Sequence, residues 1–299
     1  MQQESIFIQD GEHQLHLRHI WKNHGGIPVF MLHGSIENGF IFYTEKGKGL
    51  ACFLAEQGFD VYVADLRGRG KSQPSINASS SFGQYEAITR DIPLFLEKIQ
   101  SLNSQKIHLV AHSWGGVLLA SFLVRYPHWL DKVLSKTCFG TKRVVTAKTF
   151  EALIKLKLLW RYVAPLLVKK SGYLEAKKLG IGSDNETKQS LAESLAWVTP
   201  GNWQDIYDGF DYYNAAKNIT WPPTWHFTGI KDHALGHRQD VQLFIDECGN
   251  KTAKFSVLSK QAGNHLDYDH INILTHSQAV NDHFPMLVNW LQQHDKMAE

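Results

Sequence analysis

Cysteine is scarce. Three stand among 299 residues, at positions 52, 138 and 248, odd in number and far apart. They form no C-x-x-C pair and no disulfide framework, which favours a reducing compartment. Long apolar runs are missing too, none approaching the ~20 residues of a membrane span. The first residues, MQQESIFIQDGEH, have neither a basic n-region nor an apolar h-region, so no signal peptide is read. Charge of one sign is missing: 31 Lys and Arg face 29 Asp and Glu, a net +2 that gives no pull toward nucleic acid. There is no H-E-x-x-H, no P-loop, no glycine-rich dinucleotide fingerprint, no internal repeat and no low-complexity tract. The expectation is a soluble, cytoplasmic protein, with an ordinary 43% hydrophobic and 20% charged content. Its length fits about two ordinary domains, or one large α/β domain carrying an insertion.

What is present is an alternation of short apolar runs with helical patterns. Residues 5–9 and 14–21 alternate in polarity and are joined at Asp10-Gly11, a hairpin signal. Continuous apolar runs follow at 27–32, 61–64, 107–110, 132–138, 224–228 and 253–258, as expected for strands covered on both faces. Helical patterns occupy 49–59, 85–102 with Pro93 as an irregularity, 117–126, 239–247 and 278–293. Such alternation predicts a mostly parallel eight-stranded sheet with helices on both faces. Between residues 139 and 216 it stops. Helices at 150–168, 173–179 and 186–198 and an aromatic-rich stretch at 203–213 read there as a helical insertion. The division expected is a core of 1–138 and 217–299 and a cap of 139–216.

One stretch organises the rest, KIHLVAHSWGGVLLASFLVRY at 106–126. It reads as buried strand, sharp turn, apolar helix, with Ser113 on the turn. Small residues flank it, Ala111 before and Gly115 and Gly116 after. A serine hydroxyl near neutral pH needs a general base, an acid to orient that base, and donors for the developing oxyanion. His265, in the loop after the last strand, is the expected base, with His270 as second choice. Asp232, just past strand 224–228 on a glycine turn, is the expected acid, ahead of Asp246. The N–H of Trp114 and that of Ser35, in His33-Gly34-Ser35, are the expected oxyanion donors.

The motifs HGS, DLRGRGKS, AHSWGG, and GIKD followed by GNH stand in an order that resembles α/β-hydrolase-fold serine hydrolases of the lipase and esterase type. The chain departs from G-x-S-x-G in having Ala111 for the first glycine. The resemblance covers most of the chain and implies an α/β-hydrolase fold with the insertion as cap. It implies acyl transfer through Ser113, His265 and Asp232, with Asp65, Arg67, Gly68 and Gly70 shaping the neighbouring loop. No cofactor and no metal are implied. Amidase, thioesterase, C–C hydrolase and perhydrolase chemistry stay open on the same triad, as does a ligand-binding protein without turnover. From Lys142 to Lys178, ten Lys and Arg accompany two acids and many leucines. That suits either a solvated basic face over packed helices or contact with an anionic membrane surface. The apolar cap suggests a hydrophobic ester as the small-molecule partner.

Overall fold

The central strands have no face in water. β3 (Pro28–Leu32), β4 (Asp60–Asp65), β5 (Ile107–His112), β6 (Val133–Phe139) and β9 (Thr224–Gly229) are buried along their whole length. β1 (Gln2–Asp10), by contrast, alternates between exposed and half-buried positions, as an edge strand does. The computed structural model describes residues 1–295. With β2 (His13–Trp21) and β10 (Lys254–Leu258), these strands form an eight-stranded sheet in the order β1-β2-β4-β3-β5-β6-β9-β10. β1 and β2 pair antiparallel, and β2 joins β4 antiparallel; from β4 onward every pairing is parallel. This is the α/β-hydrolase fold that the sequence resemblance implied.

The two-residue period of a strand sends alternate side chains to opposite faces. Phe30, Leu32, Leu109 and Ala111 pack with helices Ile92–Leu102 and Trp114–Arg125. Val29, Met31, Val61 and Val63 pack on the other face, with helices Leu50–Glu56 and His283–Asp295. Pro93 lies inside one continuous helical run from Gln84 to Leu102. The irregularity lies one turn earlier, as a π-turn at Ala87–Asp91.

Between β6 and β9 the chain leaves the sheet. A helical stretch runs from Phe150 to Ser171, wound as a π-helix over Leu153–Val163. The expected helix at 173–179 is replaced by a short antiparallel pair, β7 (Tyr173–Leu174) with β8 (Glu186–Thr187); Gly172, in the left-handed region at φ 84°, caps the preceding helix and turns the chain. A helix then spans Lys188–Trp197, with the Thr187 hydroxyl as its cap. Residues 182–187 are bonded to the core. The Asp184 N–H donates to the Ile36 carbonyl at 3.0 Å. Its carboxylate accepts from Asn38 Nδ2 at 2.8 Å and the Gly70 N–H at 2.6 Å, and Glu186 pairs with Arg69. Trp197, Trp203, Tyr212 and Ala216 belong to the same apolar cluster as Phe122 and Leu119. No helix among the described residues is long and apolar enough to cross a membrane.

Candidate active site

Ser113 leaves β5 and starts the helix Trp114–Arg125 with φ 51° and ψ −125°. An L-residue is strained there, and its surroundings must hold it. The Ser113 N–H donates to the Phe139 carbonyl at 2.7 Å, and the Thr141 hydroxyl donates to the Ser113 carbonyl at 2.9 Å. Both clamps come from the end of β6. The Trp114 N–H stands at the first helical position, where no helical carbonyl can accept it. The Trp114 indole N–H donates to Gln84 Oε1, and its ring lies 6.5 Å from that of Trp197. Trp114 is thus a wall between the elbow and the segment that follows β8.

The loop after β3 presses against this turn. A Cβ on Gly34 would sit 2.8 Å from Ser113 Cβ, so only glycine allows the approach. Two residues on, Ile36 holds φ 50°, a rare value for a β-branched side chain. Among the described residues, Ile36 and Ser113 are the non-glycine positions with positive φ, and they flank Ser35 and Trp114 in sequence. Glu37 closes the loop by accepting the Gly34 N–H at 3.0 Å.

Asp232 follows β9 and is buried. It accepts from Nδ1 of His270 at 2.5 Å. Burial pushes the Asp232 carboxyl up; His270, the Gly236 amide and Lys142 outweigh it and hold the group below the usual carboxylate range. His270 is itself buried, and its ring centroid lies 4.6 Å from that of His112, the residue before Ser113. Gly140, at the end of β6, makes room for this pair: a Cβ there would lie 2.8 Å from both Cε1 and Nδ1 of His270.

The expectation for His265 needs correction, because Asp232 is paired with His270 instead. His265 is exposed, 3.5 Å from Gln278 Oε1. Asp282 holds this part of the loop away from the site, accepting Asn264 Nδ2 at 2.7 Å, the His265 N–H at 2.9 Å and the Tyr268 hydroxyl at 3.0 Å. The chain then crosses β9, where the Lys231 N–H donates to the Tyr268 carbonyl at 2.8 Å, and arrives at Asp232 two residues later. Asp269 also accepts the N–H groups of Ile271 and Asn272, capping the helix Asn272–Thr275. That capping pattern, D-H-I-N, was the available signal for His270.

Three further residues, His112, Glu37 and Lys142, were not singled out from the sequence. His112 has Nδ1 2.8 Å from Glu37 Oε2 and Nε2 2.9 Å from the His270 carbonyl. Burial pushes the Glu37 carboxyl up, but the neighbouring His112 more than reverses this, bringing it to about 2. For His112, burial lowers the pKa, yet Glu37 and the His270 carbonyl raise it above the ordinary value. Lys142, buried 3.9 Å from Asp240, is pushed down to about 8 by burial, against the pull of Asp240 and Asp232. Asp65 and Arg67 are engaged within the fold: Asp65 accepts the Gly39 and Lys71 N–H groups, and Arg67 pairs with Asp10 and Asp91. Among the described residues, no group of three or more His, Cys, Asp or Glu is arranged to hold a metal ion. A cavity of about 460 Å³ opens at the opposite, amino ends of the strands, lined by Glu4, His19, Asp60 and Asn103 among others. It includes none of the residues above.

The Hydrolase_4 family, described as serine aminopeptidase, S33, matches residues 28–262. The chain belongs to this family. As a Hydrolase_4 protein it carries the α/β-hydrolase fold described above. It is 30% identical over 129 residues to a probable lysophospholipase L2 of Haemophilus influenzae, covering 42% of this chain and 40% of that one. It is 33% identical over 103 residues to triacylglycerol lipase 2 of Arabidopsis thaliana, covering 32% and 25%. The matched stretches thus span well under half of these relatives. A soluble variant of monoglyceride lipase from Saccharomyces cerevisiae, solved with a substrate analogue, superposes with a TM-score of 0.70 at 16% identity, over 98% of this chain and 96% of that one. At that identity the likeness is one of fold.

Proposed function

We propose that this Hydrolase_4 protein hydrolyses carboxylic esters with a hydrophobic acyl or alcohol group, using Ser113 as nucleophile, His270 as general base and Asp232 as its orienting acid. The observation that carries this reading is the Asp232–His270 hydrogen bond, with the His270 ring 4.6 Å from that of His112, next in sequence to a serine held at φ 51°. His270 takes the Ser113 proton as Oγ attacks the ester carbonyl, and Asp232 stabilises the imidazolium that forms. The Trp114 and Ser35 amides receive the oxyanion, since both lie where strained backbone presents N–H groups around the nucleophile. The alkoxide leaves with the proton from His270, giving an acyl-enzyme. Water, deprotonated by His270, releases the acid.

The apolar wall of Trp114 and Trp197 supports a hydrophobic substrate, and the curated relatives are named as lipases and lysophospholipases. Residues 139–216 serve as the cap over this site. Phe150, Leu158, Tyr162 and Leu166 are more than half exposed along the helical stretch Phe150–Ser171, and Lys169 and Lys170 at its end are exposed too. That surface suits transient contact with an anionic lipid interface.

Fluorophosphonate labelling tests the assignment directly. Wild type and His265→Ala are expected to be labelled and to cleave p-nitrophenyl esters, whereas Ser113→Ala and His270→Ala lose both. Full activity in His270→Ala with loss in His265→Ala would return the base to His265.

A further inference from the structure

His112 presents both ring nitrogens to acceptors. Nδ1 faces the Glu37 carboxylate at 2.8 Å, and Nε2 faces the main-chain carbonyl of His270 at 2.9 Å. Neither acceptor has a proton to give, and a neutral imidazole carries one N–H for two such partners. Left neutral, the fully buried ring would set a bare nitrogen against a carbonyl or a carboxylate, an unpaired contact that is unfavourable. His112 is fully buried and the Glu37 side chain 13% exposed. A cation there is tolerable only beside an anion, and Glu37 is that anion.

We infer that His112 is a permanently protonated imidazolium that, with Glu37, positions the catalytic groups by fastening three loops to one another. Resting on the triad proposed above, the inference adds two positioning residues to it. Glu37 Oε2 accepts the Gly34 N–H as well as the His112 Nδ1–H, so one oxygen joins the Ser35 loop to the residue before Ser113. The second His112 N–H holds the backbone of His270, whose side chain meets Asp232. Ile36 adds to the demand for such a clamp, because its positive φ would relax if the loop were free. The other titratable groups facing the pair are the His33, His270 and Asp232 side chains, from the loops after β3, β10 and β9.

Replacing Glu37 by Gln keeps an oxygen for Gly34 and His112 but removes the charge. The His112 ring then loses a proton and releases either Glu37's replacement or the His270 carbonyl.

Nitrogen-15 NMR of the histidine rings reads the protonation state without reference to any substrate. At about pH 8, above the ordinary histidine range, wild type is expected to show a doubly protonated ring that disappears in His112→Gln. It is distinct from the signal of His19, whose nitrogens face Glu4 at 3.0 Å and Asp60 at 2.5 Å and which is assigned with His19→Gln. In Glu37→Gln the His112 ring becomes neutral, and the low-field proton of the His270–Asp232 bond shifts or broadens. With p-nitrophenyl esters, Glu37→Gln lowers kcat about 10- to 100-fold through misplacement of the base, while KM stays within about threefold. Glu37→Asp, which retains the charge, recovers part of kcat. A neutral His112 ring in wild type at that pH overturns the inference. So does a Glu37→Gln protein that loses the proton yet keeps kcat and the His270 resonance unchanged. Should wild type cleave no ester, the hydrolase reading fails, and the two NMR signals still decide whether the clamp exists.

Discussion

At the scale of single residues, the site depends on what is absent from Gly140 as much as on what is present at Asp232. Gly140 has φ 60°, and any side chain there meets the His270 ring. Gly140→Ala is therefore expected to displace the imidazole, lowering kcat about 100-fold while costing about 1–2 kcal/mol of stability through the left-handed backbone. Ester turnover and urea unfolding measured on the same preparation separate the two effects. Glu37 gives a second prediction, about acid. Its folded pKa of about 2 lies below the ordinary carboxylate value of 4.5. A group depressed in this way stabilises the fold above its unfolded pKa and loses that contribution as pH falls through its folded one. Wild type should lose more stability than Glu37→Gln as pH drops from about 5 toward 2; equal losses in urea titrations at the two pH values would contradict it. The site was only partly legible at this scale. Ser113 and Asp232 stood at strand ends beside glycine, where the chemistry of turns marks them. His270 did not, because two histidines shared one loop and the deciding contacts, those of Asp282 and Tyr268, are long-range.

At the scale of elements, the strands were readable because five of them are buried on both faces and therefore apolar throughout. The helix after Ser113 was readable for the same reason. Residues 139–216 were harder, since helical period alone does not say what a helix packs against. Trp203 is fully buried, its indole N–H donates to the Ser121 hydroxyl at 3.1 Å, and its ring stacks on Tyr212 at 6.1 Å. The end of the insertion thus shares the sheet's own core. Trp203→Ala should destabilise the whole protein by about 3–5 kcal/mol. A single cooperative unfolding transition, shifted as a unit, is the expected result; a separate early transition confined to the insertion would show that it folds apart.

For the whole molecule, a balanced sequence charge conceals an uneven surface. Exposed apolar side chains gather on Phe150–Ser171, with lysines at its end. Liposomes with anionic headgroups are expected to float the protein at low salt and release it at high salt. Phe150→Ser combined with Leu166→Ser should abolish flotation while moving stability by no more than about 0.5 kcal/mol. Absence of wild-type flotation at low salt would remove the interfacial reading and leave the proposed ester hydrolysis standing.

Asp184 and Glu186 bond the chain beyond β7 to Ile36, Asn38, Gly70 and Arg69. A lid swinging away there would drag the Ser35 turn with it and spoil the cradle proposed for the negative oxygen. Entry and chemistry would then exclude each other at that hinge. Nor can the long helix before Gly172 swing alone: Ile36 packs against the cluster that holds Ala164 and Val168, and Ala152 clusters with Ala234, two residues past Asp232.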